Sequence, residues 1–252
     1  VVPKYRDANA HAVKEAYQSL RTSILFSSHN LEKRLLLFSS AGPQEGKSNT
    51  VNYVARSLAS AGDRVIAVDC DLRRPTLDKH FGVRREPGVT NFLLTGESGD
   101  YRPFVHETDV PNLSVLPCGA IPPNPTELLG TPGFRNLLPR LKADYDWVVV
   151  DSPPVASLAD TVVLASLADL FVLVIKQNEN DRDLIRRALK RLRDVNIDIA
   201  GAVLNAMDIE GSYYRSYYYA YDYYAKDGKT RKGPGGARRG GDTDDSSRRI
   251  AL

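Results

Sequence analysis

A chain of 252 residues, 42% of them hydrophobic and 26% charged, has the size for one α/β domain of about 200 residues and a tail. It contains no run near the roughly 18 apolar residues of a membrane helix and no signal peptide, and Cys70 and Cys118 have neither metal-ligand nor redox spacing, as suits a reducing cytosol. The net charge of +3 is uneven: residues 225–252 hold eight Lys/Arg against four Asp/Glu, and the remaining 26 basic and 27 acidic residues nearly cancel, which leaves no electrostatic footprint for nucleic acid.

The chain opens Val1-Val2 without methionine and is expected to be a piece of something longer. Val13, Ala16, Tyr17, Leu20 and Ile24 recur at helical spacing and predict an amphipathic helix over 12–28. Residues 34–40 are too short and too apolar for anything but a buried strand, and a Gly-containing loop follows. Lys47 to Ala61 reads as a helix stopped by Gly62. Further apolar runs at 65–68, 113–116, 147–150, 170–175 and 199–204 alternate with helical segments such as 180–195. Buried strands alternating with helices predict a mainly parallel central sheet with helices on both faces, whose ligands bind at the C-terminal strand ends. The basic stripe of 180–195, including Arg186, Arg187, Lys190 and Arg191, reads as a solvated face. His11, His29, His80 and His106 are scattered without metal spacing. Trp147 is expected to pack beside the sheet.

The loop after the first strand is Ser39-Ser40-Ala41-Gly42-Pro43-Gln44-Glu45-Gly46-Lys47-Ser48, with Ala41 where a strict phosphate loop has its first Gly. Backbone N–H groups at a helix start point at phosphates, and Gly46 lets the main chain come close. The segment Ala41, Gly42, Pro43, Gln44, Glu45, Gly46, Lys47, Ser48 and Asn49 is therefore the expected ATP cradle. Lys47 would reach the β- and γ-phosphates, and Ser48 would bind Mg²⁺. The run Val65–Val68 leads into Asp69-Cys70-Asp71-Leu72-Arg73-Arg74-Pro75, whose two carboxylates at i and i+2 face one side and need a metal or a proton between them and a triphosphate. The run Trp147–Val150 ends in Asp151-Ser152-Pro153-Pro154, the expected magnesium anchor.

After Asn205 the pattern dissolves. Eight tyrosines (Tyr213, Tyr214, Tyr217, Tyr218, Tyr219, Tyr221, Tyr223 and Tyr224) crowd twelve positions among Gly, Ser and Asp, which make poor core companions. A packed strand would alternate aromatic with polar residues, whereas Tyr217-Tyr218-Tyr219 are consecutive. With an ATP site in the same chain, the cluster reads as a bank of phosphoryl acceptors. Residues 225–252, almost free of apolar side chains, are expected to be a disordered basic tail.

These motifs resemble those of the bacterial tyrosine kinases, P-loop NTPases with three Walker-type motifs, here Ser39–Ser48, Val65–Pro75 and Val148–Pro154. The likeness covers about the first 224 residues and includes Glu15–Thr22, Gly88–Gly96 and Pro122–Leu129. It implies a kinase domain over 1–210 with a subunit-contact helix at 1–28, a substrate cluster at 211–224 and the tail beyond. Lys47 would hold phosphates, Ser48, Asp71 and Asp151 would organise Mg²⁺, Asp69 would take the proton of an incoming tyrosine hydroxyl, and Asn205 would contact adenine. The related ATPases that position septa and plasmids carry a signature lysine where Gly42 stands, and its absence favours the kinase branch. A ring of eight subunits is implied, each tail entering a neighbour's site. The ring-contact motif keeps Glu15 and Arg21, with Gln18 in place of its middle Arg. The resemblance further implies work at the cytoplasmic face of the plasma membrane in capsule or exopolysaccharide export, with a membrane-spanning chain-length regulator, fused or separate. Two readings of the residues stay open beside it: an ATPase with water as acceptor, and a nucleotide-binding adaptor.

Overall fold

The computed structural model describes residues 2, 10–28, 34–95, 99–156, 158–177 and 182–207; the tyrosine cluster and the basic tail lie outside them. A run of apolar residues without alternation has to be covered on both faces. β1 (Arg34–Ser40) is such a run, with six successive buried residues, and it lies well inside the sheet. The other strands are β2 (Val65–Asp69), β3 (His106–Glu107), β4 (Leu113–Leu116), β5 (Trp147–Asp151), β6 (Leu170–Lys176) and β7 (Gly201–Asn205), in spatial order β3-β4-β2-β5-β1-β6-β7. Every pairing is parallel except β3 with β4. β2 and β5 are buried along their whole length, as expected of strands with helices on both sides.

The alternation of side chains across the pleat divides the core in two. Leu35, Leu37, Ile66, Val68, Val148 and Val150 face one layer, formed by α4 (Val89–Leu94), α5 (Pro125–Leu129), α6 (Pro132–Asp144), α7 (Leu158–Ala165) and α8 (Arg182–Asp194). Leu36, Phe38, Val65, Ala67, Trp147 and Val149 face the other, formed by α1 (Ala10–Ser27), α2 (Lys47–Ala59) and α3 (Leu77–Phe81). Each fully buried aliphatic or aromatic side chain contributes about 1.5–3 kcal/mol, so this double layer supplies the main driving force.

The apolar runs expected at 34–40, 65–68, 113–116, 147–150 and 170–175 all form strands, and the last strand starts at Gly201 rather than 199. The short antiparallel β3 has no apolar run to announce it. The helix from Lys47 ends at Ala59, and Ala61 and Gly62 form the following turn, where Gly62 takes φ 105°. Trp147 packs in the second layer with the Arg34 guanidinium 4.7 Å above its ring. In the register, Phe38 and Asp69 both lie opposite Asp151, so the ends of β1, β2 and β5 are level. That alignment brings the three motifs together.

Candidate active site

Past β1 the chain turns through residues 41–46 into α2. Gln44 and Gly46 take left-handed backbone, at φ 61° and 84°. Gly46 lacks a side chain for a second reason, because a Cβ there would stand 2.1 Å from Asn205 Nδ2. As the N-cap of α2 it also leaves the first-turn N–H groups without a side-chain cap, the arrangement an anionic phosphate requires. Glu45 is buried and fastens the loop from behind. Its Oε1 accepts from Gly42 N and its Oε2 from Lys176 N at 3.3 Å, while its carbonyl accepts from Asn205 Nδ2 at 2.8 Å.

The strand-end carboxylates converge on one ammonium. Lys47 Nζ lies 3.0 Å from Asp71 Oδ2, 3.3 Å from Asp151 Oδ1 and 3.4 Å from Ser48 Oγ. Ser48 Oγ donates to Asp151 Oδ2 at 2.5 Å. Asp69 is wholly buried at the start of α3. Its Oδ2 accepts from the Thr76 and Leu77 N–H groups at 3.0 Å each, and its Oδ1 from Asp71 N at 3.2 Å. Burial, followed by the charge of Asp151, pushes the Asp69 carboxyl up, against the pull of the Leu77 N–H and Lys47. Burial raises Asp151 as well, opposed by Lys47 and the Ser48 hydroxyl. For Lys47, burial works against the charge, but Asp151 and Asp71 outweigh it and hold the ammonium above its ordinary range. It remains a cation throughout the physiological range.

Asp151 Oδ1 is buried and faces the Lys47 ammonium at 3.3 Å without a well-aligned hydrogen bond. A carboxylate oxygen so placed, beside a serine hydroxyl, fits the water shell of a hard divalent ion. Among the described residues no group of three His, Cys, Asp or Glu could form a metal cage. An ion held by Ser48, Asp71 and Asp151 would therefore complete its shell with phosphate and water oxygens, which is how magnesium is usually bound.

A cavity of about 730 Å³ opens over this centre. Of the residues expected to bind ATP or metal, Pro43, Gln44, Glu45, Gly46, Lys47, Ser48, Asn49 and Asp71 line it. Ala41 and Gly42 do not, and Ala41 is packed in the core. Asp69, Asp151 and Asn205 lie behind the lining, and the amide of Asn205 supports the loop at Glu45. The remaining wall contains Arg73, Arg74, Thr76 and His80, none singled out by spacing, although the arginines stand two and three positions after Asp71. Burial lowers the His80 pKa, with Lys47 adding to the effect against Asp78. The residues expected at a subunit contact sit away from this cavity, on α1. Arg21 donates to the Ser57 carbonyl of α2 at 2.8 Å, and Glu15 lies 3.5 Å from His11.

The AAA domain family matches residues 42–199, more than half of the chain. The putative tyrosine-protein kinase CapB of Staphylococcus aureus is 32% identical over 88% of this chain and 96% of its own length. The chain belongs to the bacterial tyrosine kinases. A longer relative in the family is the putative tyrosine-protein kinase EpsB of Ralstonia solanacearum, 36% identical over 77% of this chain. The match spans only 26% of EpsB, so the chain corresponds to about a quarter of that protein. Among solved structures, the kinase domain of the Escherichia coli tyrosine kinase ETK superposes with a TM-score of 0.75 at 29% identity, over 80% of this chain and 78% of that one. The fold is that of ATP-binding P-loop proteins. Among the described residues no helix is long and apolar enough to cross a membrane.

Proposed function

We propose that the chain is an ATP-dependent protein-tyrosine kinase that phosphorylates its own tyrosine cluster, each copy acting on another. The observation that carries this reading is the convergence of Lys47, Ser48, Asp71 and Asp151 within about one hydrogen-bond length under a cavity large enough for a nucleotide and an acceptor side chain. The family relationship supports it, since the relatives CapB and EpsB are named tyrosine-protein kinases.

The α2 N-terminus and Lys47 hold the phosphates, while Ser48, Asp71 and Asp151 hold Mg²⁺. The ion, when bound, neutralises charge on the transferring group. Asn205 and Glu45 keep the loop in its left-handed turn. Asp69, which lies behind the cavity lining with both oxygens on backbone N–H groups, must be uncovered before it orients the incoming phenol and accepts its proton late. An ordinary carboxylate, near about 4, is poorly matched to a phenol near about 10. Burial narrows that gap, and a loose transition state demands little early deprotonation. The phosphoryl group passes from the nucleotide to the tyrosine oxygen, ADP departs, and the phenolic proton ends on the carboxylate.

The family also supports a homo-oligomeric ring and partnership with a membrane-spanning regulator of capsule or exopolysaccharide chain length. The much greater length of EpsB fits a fused form of that regulator. The deciding experiment is incubation with Mg-ATP followed by mass spectrometry of residues 211–226. Phosphate on tyrosine is expected, and it should vanish in Asp69→Asn while ATP binding persists. Release of free phosphate with unmodified tyrosines would instead establish a hydrolase with water as acceptor.

A further inference from the structure

The cavity wall formed by the chain leaving β2 is basic. Arg73 is exposed yet held in one geometry: Nε donates to Asp160 Oδ2 at 2.6 Å and Nη2 to Thr126 Oγ1 at 3.2 Å. Asp160, wholly buried on α7, also accepts from the Thr126 hydroxyl on α5. A guanidinium pinned in this way has already lost much of the freedom that binding would otherwise cost. Arg74 differs. Its backbone N–H is fixed on Asp71 Oδ1 at 3.1 Å, but its side chain is exposed and forms no ion pair among the described residues. Both residues line the same cavity as Lys47, Ser48 and Asp71.

The nucleotide's negative charges have their own seat at the α2 N-terminus and Lys47. The two arginines instead leave from the strand tip that carries Asp69, where the acceptor hydroxyl must arrive. We infer that Arg74, beside the pinned Arg73, selects acceptor tyrosines whose sequence neighbour is anionic, either a carboxylate or a phosphotyrosine. This inference rests on the kinase reading and specifies its substrate. The chain's own cluster holds one such carboxylate, Asp222 between Tyr221 and Tyr223. Every phosphate added within Tyr217–Tyr219 creates a further anionic neighbour, with about −1.5 to −2 charges near neutral pH. Phosphorylation of the cluster is therefore self-reinforcing until the acceptors are used.

The test uses the full chain at saturating Mg-ATP and peptides of equal length, each with one acceptor tyrosine flanked by Ala, Asp, phosphotyrosine or Lys. The expected kcat/KM for the Asp peptide exceeds that for the Ala peptide about two- to fivefold, the size of one ion pair at an exposed arginine. The phosphotyrosine peptide should match or exceed it. A gain for either anionic peptide supports the inference, and their ratio identifies which source of negative charge is read. Arg74→Gln should collapse the ranking, and Arg74→Glu should invert it in favour of the Lys peptide, which a merely structural arginine cannot do. Equal kcat/KM on all peptides, with transfer intact, overturns this inference and leaves the kinase reading standing. Absence of transfer to any peptide while residues 211–226 still gain phosphate overturns this inference alone; absence of both overturns both. A raised KM for ATP in Arg74→Glu with the peptide ranking unchanged assigns the arginine to the nucleotide and overturns the inference.

Discussion

Three buried carboxylates, Asp69, Asp71 and Asp151, share the single ammonium of Lys47. Burying charge without full compensation costs stability, so this centre is held together by the rest of the fold. Asp151→Asn should therefore move stability and function in opposite directions. It should raise the melting temperature of nucleotide-free protein by a few degrees, about 2–4 °C per kcal/mol gained for a domain of this size, while Mg-ATP-dependent phosphorylation is lost. The pH dependence follows the same logic. Asp69 and Asp151 hold protons more tightly folded than unfolded, so the folded chain binds more protons across the window from ordinary carboxylate values up to their raised ones. Stability falls as pH rises through that window, and the slope of melting temperature against pH should be shallower in Asp151→Asn. Lys47 contributes fully below the ordinary ammonium range and loses its share only as pH rises through its own raised value. Asp69 and Asp151 were legible because each ends an apolar run, and Asp71 because it stands two positions past Asp69 on the same side. Asp160 was not, since its partner Arg73 lies 87 positions away and no spacing rule spans such a gap. The looping side chain of Glu45 was equally hidden: a residue inside a phosphate motif reads as facing phosphate, whereas both its oxygens turn back onto backbone amides.

Helices and strands followed from local pattern wherever burial was continuous or periodic. α1 was legible from its apolar spacing and α2 from the loop that opens it and the Gly62 that follows it, and five of the six expected strand positions match closely because buried parallel strands carry long apolar runs. α6 illustrates a boundary fixed by capping. Thr131 Oγ1 accepts from Phe134 N at 3.3 Å with Pro132 at the first helical position. Thr131→Ala should lower unfolding stability by about 1 kcal/mol in urea titrations, without changing nucleotide affinity, since this cap lies outside the residues that line the cavity. β3 escaped notice because two residues of an antiparallel edge carry no hydrophobic signature. Trp147 begins β5, four residues before Asp151, a separation of about 13 Å along an extended strand. Its buried indole is thus placed to sense the integrity of the second core layer rather than events at the strand tip.

At the level of the complete chain, the order of the strands was the least legible feature. Which strand lies beside which depends on how both helical layers close over the sheet, and no local pattern records that. What the sequence did carry was the rule that ligands of such a sheet gather where its strands end, and the level tips of β1, β2 and β5 obey it. If one copy modifies another, the initial rate of tyrosine phosphorylation per molecule should rise with protein concentration. A tenfold dilution should slow it by up to about tenfold until assembly saturates, whereas a rate per molecule independent of dilution would mean that each chain modifies itself. The seat of Lys47 has one more effect. In this structure its ammonium is paired with Asp71 and Asp151; on the proposed reading, a Lys47 extended to a triphosphate would leave both carboxylates free for the divalent ion. By thermodynamic reciprocity the ion would then tighten nucleotide to the same degree, so titrations of each ligand with and without the other should show the same coupling.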